Sequence, residues 1–326
     1  MSKLVTIYGG SGFVGRYVAR RMAKQGWRVR VAVRRPNEAL FVKPYGAVGQ
    51  VEPILCNIRD DASVRAAMQG ADAVVNCVGV LLAIGKNTFN QVHTVAAERI
   101  AKIAAEEGVD RLVHVSSLAA AEDAPSMYGR SKARGDAAVQ AAFPGAVILR
   151  PSIIFGQEDQ FFNRFAKMTG MSPVIPLVGV DTMFQPVYVD DVAAAAEKGV
   201  LGTAEAGIYE LGGPDVESFR DLMKRMLKHV QRRRGVINIP FGIARINAFF
   251  FDMIQKLSGG LVPALLSRDQ VRSLRADTVV HEGAKGFADL DIQPMAMDAI
   301  LPDYLWRFRT GGEYAAITAS AKNLKS

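Results

Sequence analysis

Apolar residues in the first half of the chain gather into short runs, and between the runs they recur every three or four positions. The runs are KLVTIYG, WRVRVAVR, VEPILCN, ADAVVNCVG, RLVHVSS and AVILRPS. Helical spacing fills 13–25, 61–69, 90–108 and 128–142. A continuous apolar run reads as a strand buried on both faces, and a helix-length crossover brings the next strand in parallel. The pattern therefore predicts an α/β fold, with six parallel strands in a doubly wound sheet and helices on both sides. Such a sheet takes its ligand at the carboxyl ends of the strands.

After Pro151 the rhythm breaks. Residues 155–184 are rich in Gly, Phe, Met and Pro, QPVYVDDVAAAAEKGV reads as a short strand feeding a helix, and AGIYELGG as another strand. We expect a nucleotide-binding Rossmann domain over 1–155 and a smaller C-terminal lobe of separated pieces over 156–326, closing over the cleft. Within 236–266, Ile243, Ile246, Phe250, Met253, Ile254 and Leu257 share one helical stripe. Phe249 and Phe251 widen it, while Arg245, Asp252, Gln255 and Lys256 lie off it. Charges interrupt the run too often for a membrane span, which needs about 18 consecutive apolar residues. Two packings remain: a helix laid on the body of the same protein, or an interfacial helix entering a bilayer surface or a membrane-bound partner.

Composition changes this picture little. The chain has 326 residues, 49% hydrophobic and 22% charged, as a globular protein does. Net charge is +8, and most of the excess sits in 220–234, RDLMKRMLKHVQRRR, where seven Lys/Arg face one Asp. That segment could meet anionic headgroups. No recognition helix or aromatic stacking platform accompanies it, so nucleic acid is not expected as a partner. The two cysteines, Cys56 and Cys77, read as buried and reduced, and the four histidines lack ligand spacing, so no metal is expected. A first strand entered by Lys3 leaves no room for a targeting segment and implies a cytoplasmic address.

The chemistry lies at the strand ends. In TIYGGSGFVGR, Gly9 permits the turn out of the first strand, Gly12 lets backbone approach a pyrophosphate, and Gly15 lets the helix lie close to the strand. Ser11, Phe13 and Val14, between these glycines, join the same candidate contact set. The second strand ends in Arg34 and Arg35, where an acidic residue would bind a free 2′-hydroxyl; guanidinium groups suit a 2′-phosphate, hence NADPH rather than NADH. Asn57 and Ile58 would lie beside the adenine, and Val78 and Gly79 along the central riboses. Pro151 and Ile153, closing the sixth strand, complete the set. Tyr128 and Lys132, four apart, share a helix face, so a lysine ammonium near the phenol would lower its pKa and hold the nicotinamide ribose. Ser116 or Ser117 would hydrogen-bond a substrate carbonyl.

GGSGFVGR, HVSSLAA, YGRSKARGD, ILRPSIIFGQEDQFFNRF and QPVYVDDVA together resemble the extended, atypical short-chain dehydrogenases/reductases. Within that family the chain is most similar to the NADPH-binding accessory subunits of respiratory complex I (NADH:ubiquinone oxidoreductase), from Leu4 to about Trp306. The resemblance implies a structural NADPH, complex I subunits as partners, and a C-terminal seat on the peripheral arm. It also implies a peripheral location on the cytoplasmic side of a bacterial inner membrane, with lipid or membrane-surface contact through about 236–266. Members of the family often lack the full catalytic set, whereas Ser116, Ser117, Tyr128 and Lys132 are all present here. The alternative is therefore a free-standing NADPH-dependent reductase, epimerase or dehydratase.

Overall fold

The computed structural model describes residues 2–258, 261 and 266–312. Within 236–266, positions 259–260 and 262–265 lie outside the described residues, as does 313–326 of the C-terminal lobe.

Alternating strands and helices run β1 (Leu4–Tyr8), α1 (Phe13–Lys24), β2 (Arg28–Val33), β3 (Val51–Leu55), α2 (Asp61–Met68), β4 (Ala73–Asn76), α3 (Ala96–Glu106), β5 (Arg111–Val115), α4 (Met127–Ala142) and β6 (Val147–Pro151). Two departures from the periodicity have local causes. A 3-10 stretch, Pro36–Tyr45, fills the β2–β3 connection, with Pro at its first turn. The expected helix over 90–108 begins as one π-turn, Asn90–Val95, before α3.

The second half contributes β7 (Ile154–Phe155), α5 (Phe162–Met168), β8 (Val174–Leu177), β9 (Met183–Phe184), β10 (Val187–Tyr188), α6 (Val189–Leu201), β11 (Gly207–Leu211), β12 (Glu217–Ser218), α7 (Phe219–His229), β13 (Gly235–Asn238), α8 (Phe241–Leu257), α9 (Arg268–Ser273) and α10 (Met297–Leu305). The main sheet has seven strands in the order β11-β6-β5-β4-β1-β2-β3, all parallel. The seventh, β11, was grouped by the sequence pattern with the smaller lobe. It hydrogen-bonds instead along β6, with Tyr209 and Leu211 buried, because α6 crosses the sheet and returns the chain to its edge. Small residues of α6, Ala193, Ala195 and Ala196, let that helix pack closely beside α1.

The strand order reverses direction between β1 and β4, which opens the crevice where a doubly wound sheet receives ligand. Beyond it, α5, α7, α10 and the short strand pairs enclose a separate core of Phe155, Phe162, Ile175, Phe219, Met226 and Leu301. The FGQEDQFF stretch serves this core. Asp159, buried, accepts from the amides of Gly156, Phe161 and Asn163 and from the Tyr304 hydroxyl.

Much of the basic 220–234 segment is engaged internally rather than free for headgroups. Arg225 pairs with Asp215, Glu217 and Asp298, Lys224 with Asp221, and Arg232 and Arg234 donate to the carbonyls of Phe308 and Thr169.

Helix α8 faces the opposite way from an ordinary core helix. Its buried positions are Ala244 and Ala248, packed with Val178 and Val271. Ile243, Ile246, Phe249, Phe250, Met253, Ile254 and Leu257 are exposed, while Phe251 is half-buried. Among the described residues no helix is long and apolar enough to cross a membrane.

Candidate nucleotide and proton-transfer site

The glycine loop has the geometry its spacing implies. Gly9 has φ +74°, and a Cβ there would come within 3.2 Å of the Cys77 backbone and 3.3 Å of Val78. A Cβ on Gly15 would lie 2.4 Å from the Gly9 carbonyl oxygen and 2.7 Å from the Gly10 Cα. Only glycine allows α1 to lie this close to β1. Gly12 is the N-cap of α1 and, having no side chain to cap with, leaves the first amides of the helix free to meet an anion. Phe13 and Val14 pack half-buried on the sheet, and Ser11 is half-buried beside them. Arg16, which the spacing did not single out, folds over the loop: its guanidinium donates to the carbonyls of Ser11 and Gly12 and pairs with Glu158 at 3.3 Å.

Around the crevice the candidates divide. Val78 lies two residues beyond β4, its amide donating to the Asn76 side chain. A Cβ on Gly79 would stand 3.6 Å from the Lys132 Nζ, in ordinary contact, so Gly79 lies directly beside the lysine. Asn57 and Ile58 follow β3, the first exposed and the second half-buried. Arg34 and Arg35 are both exposed at the end of β2. Arg35 is paired with Glu38 at 2.9 Å, whereas Arg34 makes no ion pair or hydrogen bond with the described residues. Pro151 is buried and takes the Leu118 amide on its carbonyl; Ile153 is half-buried and takes that of Val187.

The two serines have different fates. Ser117 turns toward Tyr128, and its hydroxyl favours the charged form of the phenol. Ser116 turns into the core toward Asp136 but makes no hydrogen bond of good geometry. Successive residues leaving a strand point to opposite faces, so only one of them can reach the cleft. The phenol also departs from expectation. Burial holds the Tyr128 pKa above its ordinary value, outweighing Ser117, and Lys132 is not among the groups that set it. Lys132 is buried, donates to the Val115 carbonyl at 3.1 Å, and has its pKa pushed down to about 8 by burial against the pull of Asp136 and Cys77.

Two supports were invisible to spacing. The π-turn sets His93 edge-on to Tyr128, ring centroids 5.2 Å apart. His93 Nε2 accepts the Val80 amide, so Nδ1 carries the proton and donates to Ser131 Oγ, which donates to the Tyr128 carbonyl. Burial, and then Lys132, push its pKa down to about 3, so the ring stays neutral. Gly135 makes room for the turn, since a Cβ there would sit 2.0 Å from the His93 carbonyl oxygen. The second support is Asp269 of α9. Its carboxylate accepts from the amides of Met127 at 2.6 Å and Tyr128 at 3.0 Å. Ser126 caps the amide of Gly129, so the first turn of α4 is satisfied from within and from the distant lobe.

Comparison with known proteins shows the family and the fold. The model of the NAD dependent epimerase/dehydratase family matches residues 5–201. The NADH dehydrogenase [ubiquinone] 1 alpha subcomplex subunit 9 of Arabidopsis thaliana mitochondria is 34% identical over 98% of this chain and 81% of its own length. The ceramide reductase of Caulobacter vibrioides is 34% identical over 73% of this chain and 74% of its own. The dTDP-glucose 4,6-dehydratase of Bacillus anthracis, solved with NAD, superimposes with a TM-score of 0.68 at 14% identity, covering 95% of this chain and 98% of the other. The chain belongs to the NAD dependent epimerase/dehydratase family, on the extended short-chain dehydrogenase/reductase fold, and is a homologue of complex I accessory subunits.

Proposed function

We propose that this member of the family is an accessory subunit of bacterial respiratory complex I, holding NADPH as a structural ligand. It docks through α8 on the peripheral arm, on the cytoplasmic side of the inner membrane. The outward face of α8 carries this reading. Its seven large apolar side chains are between 42% (Met253) and 79% (Leu257) exposed, an apolar patch of the kind that marks an interaction surface. The relation to the plant complex I subunit supports it, because that similarity runs through this C-terminal region and not only the sheet. The free amides of α1, the glycine cradle and the unpartnered Arg34 fit a dinucleotide with a 2′-phosphate. Such a ligand stabilises the fold by mass action without turnover, by about 4 kcal/mol at a thousandfold its dissociation constant. Purification from gently solubilised membranes should yield the chain with other complex I subunits and stoichiometric NADP(H) on denaturation. Recovery of the chain alone, with no cross-link to such subunits, overturns the reading.

A second reading rests on Ser117 beside Tyr128, with Lys132 one turn on along α4, and the likeness to a ceramide reductase supports it. NADPH, when bound, supplies hydride. Ser117 would hold a substrate carbonyl, Tyr128 would give its phenolic proton to the carbonyl oxygen as the alcohol forms and regain one from water, and Lys132 would hold the nicotinamide ribose. The substrate would be a lipid-like ketone or a nucleotide sugar. On this reading Tyr128→Phe lowers ketone-dependent NADPH oxidation by about 10²–10⁴; an unchanged rate across both substrate classes excludes it.

A further inference from the structure

Between α8 and α9 lies a cavity of about 420 Å³ lined by Arg245, Ile246, Phe249, Phe250, Arg268 and Arg272. Arg245 and Phe249 are one turn apart on α8, and Arg268 and Arg272 one turn apart on α9, so the two pairs face each other across the gap. The Arg268 guanidinium lies 5.3 Å over the Phe249 ring and holds Asp252 at 2.8 Å. Arg245 and Arg272 make no hydrogen bond or ion pair with the described residues. The nearby acid Asp269 is turned away, both oxygens bound to amides of α4. Among the described residues, two unneutralised guanidinium groups therefore flank an aromatic floor.

We propose that this cavity seats the phosphate of an anionic phospholipid, with its acyl chains laid along the outward face of α8. Guanidinium groups match phosphate oxygens in pairs, and a third, already fixed by Asp252, stiffens the floor. A free phosphate would satisfy the arginines and leave the apolar face in water. That face runs from Ile243 to Leu257, about 21 Å of helix, far beyond the reach of a small anion. A neutral lipid would cover the face and leave Arg245 and Arg272 unpaired. A ligand that is both anionic and long-chained uses both features. Bound lipid then forms the first layer on the α8 face that the proposed docking uses; the inference rests on α8 and α9, and vesicle binding tests it on the isolated chain apart from copurification with complex I subunits.

The test is co-sedimentation of the full chain with protein-free vesicles of phosphatidylcholine, with and without phosphatidylglycerol. Binding should be strong only with phosphatidylglycerol, and Arg245→Gln with Arg272→Gln should weaken it about thirtyfold, the effect of two cations at an anionic surface. The double lysine variant keeps the charge but loses paired recognition, and should fall between the two. Full retention by that variant overturns the seat and leaves only diffuse attraction. Arg233→Gln, outside the cavity, should change nothing; an equal loss there overturns the proposal in the same way. Thermal stabilisation by inorganic phosphate without vesicle binding assigns the cavity to a free anion and also overturns it. Absence of binding to either vesicle overturns it too and leaves α8 to a protein partner. Retained NADPH affinity certifies that each variant is folded; should the glutamine variant fail this check, Phe250→Ser must reproduce the loss of vesicle binding.

Discussion

Replacing Asp269 with alanine tests whether the distant lobe holds the helix that carries Tyr128. The substitution removes two hydrogen bonds from a carboxylate to the Met127 and Tyr128 amides and withdraws a negative charge from a helix N-terminus. A hydrogen bond to a charged group contributes about 1.5–3 kcal/mol, but Met127 is exposed and water can replace part of the loss. A net cost of about 2 kcal/mol follows, with the dipole term of about 0.3–1 kcal/mol included. At about 2.1 cal/mol/K per residue the unfolding entropy of a chain this long turns that into a fall in Tm of about 3 °C. The assay is thermal unfolding by circular dichroism, with and without NADPH, alongside hydrogen exchange in α4 and α9. Asp269→Asn, which keeps one acceptor without the charge, should recover about half the loss. An unchanged Tm with unchanged exchange at Met127 and Tyr128 would refute the claim that α9 fastens α4.

Arg34→Ala should weaken NADPH about tenfold with little effect on NADH, and Arg35→Ala less, since Arg35 is shared with Glu38; isothermal titration with both nucleotides reads the difference. Because burial lowers the His93 pKa to about 3, the unfolded chain takes up a proton that the folded chain refuses as pH drops below about 6.5. Stability is then lost at about 1.4 kcal/mol per pH unit down to about pH 3, and His93→Gln should flatten that slope in urea titrations. An identical slope in the variant would show that the ring is not protected from protonation. Phe250→Ser, on the exposed face of α8, should leave urea stability within about 0.5 kcal/mol of wild type while releasing the protein from membranes, whereas Phe251→Ser, half-buried, should cost about 2 kcal/mol.

Much of the fold was legible because its cause is local. Period-3.6 patterns and apolar runs follow from backbone geometry, so β1, β2, β3, β5, β6, α1, α2 and α4 stand in the sequence within two residues of their bounds, whereas β4 stops three residues before its run does and α3 starts only at Ala96, after the π-turn. The glycine loop was legible for the same reason: a Cβ at Gly9 or Gly15 meets backbone only a few residues away or on the neighbouring strand. The strand at Gly207–Leu211 was visible as a strand, but its place beside β6 depends on the path of α6, which no short window contains.

From sequence alone came the parallel sheet, the nucleotide loop, the Tyr128 and Lys132 spacing and the apolar stripe of 236–266. Tertiary structure decided what those features face. It turned Ser117 rather than Ser116 to the phenol, raised the Tyr128 pKa by burial where proximity of a lysine had suggested lowering, and drew Arg35 onto Glu38. It also tied Asp269 to an amide 142 residues away and laid α8 with Ala244 and Ala248 inward and Phe249 and Phe250 outward. An amphipathic stripe has the same period whichever way it points, and a carboxylate has no sequence mark for a partner brought near only by folding. Periodicity is a property of neighbours along the chain, while burial, charge pairing and exposure belong to neighbours in space.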